Sequence, residues 1–226
     1  MTEPAAEPRS PLSWLAIALL LGIGLGVLSV VGDFTTDDGP AILLNALANA
    51  MGPWVVTAFI AGVAASRPAR GIVAGVLALA SAVATYYIGA VVVWADRVPD
   101  LRVTVLVWLA VGIVAGSIFG GAGGTWAGAE RRWRPLAVGL LSGGLLAEAA
   151  YYANDLATCD CLDATRPALY VVLTNLAVAL AAPLALVDRG QRARTYTSSA
   201  ALAIGGYAAI VVVLAAVRAS FHIVGG

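Results

Sequence analysis

The chain has 226 residues, of which 61% are hydrophobic and 12% charged, whereas a soluble domain is roughly 45–50% apolar and 25% charged. The formal net charge is zero, so no global field would attract nucleic acid. All 13 basic residues are arginine. This excludes sites that depend on lysine, namely a Schiff base with retinal or pyridoxal phosphate and the lysine-containing phosphate loop.

Seven apolar segments are each long enough to cross a bilayer, because about 20 residues rising 1.5 Å each span a hydrocarbon core of roughly 30 Å. Water is absent there, so every backbone amide must be bonded within its segment, and we predict helices. The predicted fold is all-α, a polytopic transmembrane helix bundle. We expect spans at about 12–31, 41–65, 71–94, 103–128, 135–153, 168–187 and 197–217.

The two ends of the chain are predicted to lie outside a single transmembrane domain of residues 12–217. The first apolar run, of about 20 residues, is longer than the core of a cleaved signal peptide, which has about 7–15 residues. We therefore expect a retained anchor. Residues 1–11 are predicted to be a disordered cytoplasmic tail, and residues 218–226 a short external tail.

The second span is the least regular. Asn45, Asn49, Gly52 and Pro53 interrupt its apolar pattern, and proline removes a helical hydrogen bond. We predict a kink or a broken helix near Pro53. Residues 41–52 either belong to the span or lie in the membrane interface.

Arginine is distributed unequally between the two ends of the spans. One side carries nine arginines and the other four, and the positive-inside rule assigns the richer side, with the amino terminus, to the cytoplasm. The basic loops either serve topology alone or also bind anionic lipid headgroups or a cytosolic partner. The nine are Arg9, Arg67, Arg70, Arg131, Arg132, Arg134, Arg189, Arg192 and Arg194.

The fourth span carries five glycines that are four residues apart. This spacing places them in one stripe along a helix face. Each glycine lowers helix propensity by about 1 kcal/mol relative to alanine in water, and close backbone approach by a neighbouring helix is the usual compensation in lipid. The neighbour is either a helix of the same chain or one of a second copy. The stripe consists of Gly112, Gly116, Gly120, Gly124 and Gly128.

Glu148 is the only formally charged residue inside the seven predicted spans. A carboxylate near the centre of a transmembrane helix costs roughly 2.5–3.5 kcal/mol on insertion scales, so such groups usually face a bundle interior or a wet cavity. Other polar residues share its depth, and together they would form a polar pocket open to the outside. The candidate pocket residues are Glu148, Tyr151, Tyr152, Asn45, Asn49, Asn175 and Tyr87.

Two roles remain open for Glu148. It is either a structural residue, hydrogen-bonded between helices, or a group that binds a ligand or carries a proton. Glu148→Gln keeps the shape and much of the hydrogen bonding. Intact ligand binding or transport in that variant would therefore exclude the functional role.

Cys159 and Cys161 lie in the longest external loop, on the side where disulfides persist. Two cysteines one residue apart form only a strained bridge. Unpaired thiols, a labile or intermolecular disulfide and a metal site with neighbouring aspartates are the alternatives, although zinc sites usually have two or more residues between paired cysteines.

Catalytic residues are sparse. His222 is the only histidine and lies beyond the last span, so neither a metalloprotease motif nor a histidine cluster is available. We therefore expect no enzyme.

Three segments resemble an uncharacterised family of small bacterial multi-pass membrane proteins. The resemblance covers about residues 40–155 and implies a bacterial plasma membrane and no known activity. In plan alone, an outward polar pocket in a bundle of short helices is similar to the substrate-binding subunits of energy-coupling-factor transporters. The segments contain Trp54, Phe59 and Gly62, then Tyr86 and Tyr87, then Glu148, Tyr151 and Tyr152.

The function expected from the sequence is small-molecule recognition or transport through an outward-facing pocket around Glu148. The alternative is a non-catalytic membrane scaffold or partner-binding subunit that uses its glycine-rich faces and arginine loops. We expect no cofactor, no bound metal and no nucleic acid. The expected partners are the lipid bilayer, an unknown small-molecule ligand, and a second copy or a partner membrane subunit.

Overall fold

The computed structural model describes residues 11–34, 41–93, 102–128, 130–158 and 162–224. Within these ranges every regular element is a helix and there is no strand, so the all-α prediction is confirmed. Short 3₁₀ turns at Arg131–Trp133 and Arg189–Gln191 precede two of the helices. The helices are α1 (Pro11–Asp33), α2 (Ala41–Asn49), α3 (Met51–Ala65), α4 (Pro68–Val93), α5 (Arg102–Ala127), α6 (Arg134–Thr158), α7 (Leu162–Leu186) and α8 (Arg192–Val224).

Six of the described helices are long and apolar enough to cross a membrane, and the bent pair α2 and α3 makes a seventh span if it is counted as one. The prediction of about seven helical spans is confirmed to this extent. Several helices extend beyond the apolar segments from which the spans were predicted. The last one continues to Val224, through residues that the sequence suggested would form an external tail.

The helices form two groups, which meet where α3 and α5 pack against α6 and where α2 packs against α7. In the first, α4 packs against α1, α3 and α5, and in the second, α6 packs against α7 and α8. Gly22 of α1 lies against Ala78 of α4, and Gly26 lies against Ala82. These numbers increase together, so α1 and α4 run parallel.

The glycine stripe of α5 packs against α4 of the same chain. An added Cβ atom at Gly116 would lie 2.7 Å from the carbonyl carbon of Gly75, and one at Gly120 would lie 2.8 Å from the Gly75 Cα. An added Cβ at Gly71 would lie 3.0 Å from the Cα of Gly124. The numbers run in opposite order along the two helices, so α4 and α5 are antiparallel, and no larger residue fits at these crossings.

The two ends of the stripe are packed differently. At Gly112 an added Cβ would lie 3.5 Å from the Leu79 Cβ, an ordinary contact. Gly128 lies just beyond the end of α5, and its amide donates to the carbonyl of Gly124 at 3.0 Å. The close approach therefore concerns the middle and the carboxyl-terminal half of α5, not its whole length.

The predicted break in the second span is confirmed, and its position is Ala50. Helices α2 and α3 are bent by 66° at this residue, which has extended backbone angles of φ −83° and ψ 149°. Pro53 explains the position. In a continuous helix its ring would collide with the carbonyl of the residue four positions earlier, Asn49. The helix therefore ends at Asn49 and restarts at Met51, which leaves proline in the first turn of α3, where it is tolerated.

Candidate functional site at the helix break

Glu148 lies in the carboxyl-terminal half of α6, ten residues before the end of that helix at Thr158. Its side chain is only 3% exposed. Among the residues whose burial the structure describes, it is the one buried residue with a formal charge. Its hydrogen-bond partners therefore decide how the bundle tolerates it.

The carboxylate of Glu148 caps the amino terminus of α3. The Met51 amide donates to Oε1, and the Gly52 amide lies beside the carboxylate, where it also favours the negative charge. The residue that precedes the helix, Ala50, has no side chain that caps it. A glutamate 97 residues away in sequence thus does what a serine or aspartate at the helix start usually does.

The amides at the start of α3 find acceptors outside their own helix. A helix leaves four amino-terminal N–H groups without partners inside the helix. The Ala50 amide donates to the Leu47 carbonyl at 3.4 Å, and those of Met51 and Gly52 reach Glu148. The fourth position is Pro53, which has no N–H. Glu148 therefore supplies the acceptor that the broken membrane span needs at this helix end.

Asn175 of α7 completes the group. Its side-chain amide donates to Glu148 Oε2 at 2.8 Å, and it is also 3% exposed. Gly52 gives these two side chains their space, because an added Cβ atom there would collide with Asn175 Oδ1 and lie 3.2 Å from Glu148 Oε2. We call Glu148, Asn175 and the amides of Met51 and Gly52 the break cluster.

The electrostatics of the break cluster suit an anion. Its donors are all N–H groups, and the amino terminus of a helix carries roughly half a positive charge. Hydrogen bonds to charged groups contribute about 1.5–3 kcal/mol each. The bonds from Met51 and Asn175 oppose the roughly 2.5–3.5 kcal/mol that a carboxylate costs in a membrane helix. The arrangement explains how the bundle holds Glu148, and in this conformation both carboxylate oxygens are occupied by the protein.

Asn45 and Asn49 do not join the break cluster. The Asn45 side chain donates to the Gly32 carbonyl at 3.1 Å, and the Asn49 side chain donates to Asp33 Oδ1 at 2.9 Å. The hydroxyl of Tyr86 donates to Asp33 Oδ2 at 2.7 Å. We call Asp33, Asn49 and Tyr86 the Asp33 cluster. It joins the end of α1 to α2 and α4.

Asp33 falls between the predicted spans 12–31 and 41–65, so the sequence did not place it in a helix. The apolar run of the first span stops before it, so hydropathy gave no sign that α1 continues to this aspartate. The available signal was its position two residues past the predicted span end. A helix of that length keeps its polar last turn within reach of neighbouring helices.

The three tyrosines among the predicted pocket residues fall in different places. Tyr152 packs against Ala46, Ala50 and Val171 beside the helix break. Its ring lies 5.6 Å from that of Tyr151, nearly perpendicular to it. The structure thus brings Tyr152 next to the break cluster, with Tyr151 adjacent to it.

Tyr87 lies elsewhere. It lines an open apolar groove of about 680 Å³ between α4 and α5, together with Ile88, Leu106 and Arg102. A second groove, of about 370 Å³ between α1 and α3, is lined by apolar residues and Thr57. Glu148 lines neither of these grooves.

Cys159 and Cys161 lie outside the described residues, and the side chain of His222 is likewise not described. Within the described part of the chain, no three histidine, cysteine, aspartate or glutamate side chains come together as a metal site.

The long apolar helices, the broken span and the buried polar cluster together define a multi-pass helical membrane protein. The chain belongs to DUF6518, a family of unknown function whose model matches residues 5–219. This match is longer than the resemblance over about residues 40–155 that the sequence motifs indicated. No curated protein and no solved structure matches the chain.

Proposed function

We propose that the protein recognises or transports a small polar molecule at the break between α2 and α3, with Glu148 and Asn175 as the binding groups. The observation that carries this proposal is a broken membrane span whose helix amino terminus faces a buried carboxylate from another helix. Transporters commonly form their binding sites where helices are discontinuous near the middle of the membrane. Catalysis plays no part in the proposal, and its setting is the bacterial plasma membrane.

The hydrogen bonds on the two sides of the break support a movement at Ala50. On one side of the break Asn49 is tied to Asp33 of α1, and Ser29 of α1 donates to the Ala48 carbonyl at 3.2 Å. On the other side Met51 and Gly52 are tied to Glu148 of α6. Hydrogen bonds thus attach α2 to α1 and the start of α3 to α6, and the apolar cluster of Ala46, Ala50, Val171 and Tyr152 closes the break. Opening at Ala50 would part this apolar cluster and withdraw the start of α3 from Glu148.

The groups that an opening at the break would release also indicate the chemistry of the solute. The described conformation is closed, since Glu148 and Asn175 are each 3% exposed. Withdrawing α3 from Glu148 releases a carboxylate acceptor on one side and the amides of Met51 and Gly52 on the other. A solute that carries both a donor group and an acceptor group, such as a zwitterion, would satisfy both sides.

The test is ligand-induced stabilisation of the purified protein, with a panel of amino acids and other zwitterions as probes. A bound solute should raise the unfolding temperature, and Glu148→Gln should abolish the rise. Asp33→Asn is the matched control, because it alters a carboxylate on the other side of the break and should preserve the rise. If a solute stabilises wild type and Glu148→Gln equally, the binding role of Glu148 is wrong.

The alternative function is a membrane scaffold or a partner-binding subunit. The observation that favours it is that the donors of the protein already occupy both oxygens of Glu148. Since the middle of the α5 glycine stripe packs inside the chain, a partner would contact the arginine-rich turns. Co-purification of a stoichiometric membrane partner or a second copy in mild detergent, without any solute-induced stabilisation, would favour this alternative.

A further inference from the structure

The turns that precede α6 and α8 are built in the same way. In the first turn Arg134 Nε donates to the Trp126 carbonyl at 3.0 Å. In the second, Arg192 Nη2 donates to the Leu184 carbonyl at 2.7 Å. Each arginine thus reaches back eight residues to the end of the preceding helix, where helix carbonyls lack partners. One arginine in each turn therefore has a structural role.

A second arginine in each turn has no such role. Arg131 and Arg189 open the two 3₁₀ turns and are exposed, as is Arg194 in the first turn of α8. None of the three side chains has an ion pair or hydrogen bond to the part of the chain that the structure describes. By contrast, Glu130 is engaged by Arg132 in an ion pair of 3.0 Å.

The packing of α6 on α8 brings the two turns to one level. Gly139 of α6 lies against Ser198 of α8, and Gly143 lies against Leu202. These contacts advance together, so the helices run parallel and their first turns lie side by side. Packed helix axes are about 8–10 Å apart, which places Arg131 and Arg189 on one continuous surface.

This surface is basic and borders on apolar side chains. Residues 130–134 and 188–194 hold six arginines and two acidic residues. Next to them Leu136 of α6 is 41% exposed and Leu184 of α7 is 52% exposed, and Trp133 is 42% exposed. Unpaired guanidinium groups beside exposed leucines and an interfacial tryptophan match the two parts of a phospholipid, an anionic headgroup and its acyl chains.

We propose that the paired turns bind the headgroup of an anionic phospholipid, with Arg131 and Arg189 on the phosphate oxygens and the acyl chains against α6 and α7. Arginine suits this role because its planar guanidinium bonds phosphate with two parallel N–H groups. The adjoining leucines select a lipid over a soluble phosphate, which has no apolar part. The proposal is independent of any role for Glu148.

The test uses the full-length protein in neutral detergent, with phosphatidylglycerol or phosphatidylcholine added. Phosphatidylglycerol should raise the unfolding temperature, and native mass spectrometry should show it retained in preference to phosphatidylcholine. In the double variant Arg131→Gln/Arg189→Gln the affinity for phosphatidylglycerol should fall by on the order of tenfold. Salt at high concentration should weaken the effect in wild type, because it screens exposed charges.

Two further variants and one further probe make the test specific. Arg166→Gln removes an exposed arginine near the other end of α7 and should leave the lipid effect unchanged. Arg131→Lys/Arg189→Lys keeps the charge but loses the paired N–H groups, so its affinity should lie between those of wild type and the glutamine variant. This smaller loss is the readout if the glutamine variant does not fold. Equal retention of the two lipids by wild type would overturn the proposal. So would an equal loss of lipid binding in Arg166→Gln, or a thermal shift reproduced by inorganic phosphate alone.

Discussion

Two carboxylates lie near the same helix break, and they accept hydrogen bonds from different kinds of donor. Glu148 is buried and accepts backbone amides at the start of α3, together with the Asn175 side chain. Asp33 is partly exposed and accepts the side chains of Asn49 and Tyr86. Asn49 ends α2 and Met51 begins α3. Asp33 therefore holds the end of α2, and Glu148 holds the start of α3.

The difference between the two carboxylates lies in what their removal would expose. Without Asp33, Asn49 and Tyr86 can still turn toward water or headgroups. Without Glu148, amide groups that are fixed in the backbone stay buried with no acceptor, and an unpaired buried donor costs about 1–3 kcal/mol. We therefore expect the stability of the protein to depend strongly on Glu148 and weakly on Asp33.

The largest effect is expected for Glu148→Ala, which leaves the amides of Met51 and Gly52 and the side chain of Asn175 without an acceptor. The free energy of unfolding should fall by about 3–5 kcal/mol. Titration with a denaturing detergent, followed by circular dichroism, measures it. Asp33→Ala is the control and should cost less than half as much. Similar losses in the two variants would remove the distinction between the carboxylates.

The second prediction concerns the space that Gly52 provides. Gly52→Ala should push Asn175 away from Glu148, because the added methyl group would collide with Asn175 Oδ1. Overpacking of this kind typically costs 1–3 kcal/mol, to be read from the same unfolding titration. The matched control is Gly24→Ala, since a Cβ at Gly24 of α1 meets no atom within 4 Å.

The control should be neutral or stabilising by up to about 1 kcal/mol, because alanine is the better helix former. If Gly52→Ala behaves like Gly24→Ala, Gly52 does not hold open the space for the bond between Asn175 and Glu148, and Asn175 is no longer a fixed donor of the break cluster.

The third prediction separates the side-chain donor of the break cluster from its backbone donors. Asn175→Ala removes one side-chain donor from Glu148 but leaves the backbone amides in place. We expect a loss of about 1–2 kcal/mol, smaller than for Glu148→Ala. Measuring the double variant Glu148→Ala/Asn175→Ala completes a cycle, and the two losses should not add. Strict additivity would mean that the two residues act independently.

Much of the fold could be predicted because hydropathy and helix breakers are local properties. The long apolar runs indicated the spans, and Gly52 followed by Pro53 indicated the break. What the sequence could not supply was the acceptor for the broken end. The Met51 amide and Glu148 are 97 residues apart, and their meeting depends on how α3 and α6 pack.

The sequence predicts at which depth of its span each candidate residue lies, but not the direction in which its side chain faces. Asn45, Asn49 and Glu148 were grouped because they lie at similar depth in their spans. Depth places residues in one layer of the bundle, whereas the direction that a side chain faces depends on the rotation of its helix. In the structure Asn45 and Asn49 turn toward the end of α1, and Asn175 turns toward Glu148.

The smallest effect is expected in the Asp33 cluster. Tyr86→Phe removes the hydroxyl that donates to Asp33 Oδ2 at 2.7 Å but keeps the ring, which packs edge-on against Tyr87 at 5.0 Å. Because Asp33 is partly exposed and keeps its bond from Asn49, unfolding should become easier by only about 0.5–1 kcal/mol. The control is Tyr151→Phe, whose ring also packs edge-on against its neighbour, at 5.6 Å from Tyr152. A loss above that of Asn175→Ala would show that the Asp33 side of the break, and not the Glu148 side, fixes the bend between α2 and α3.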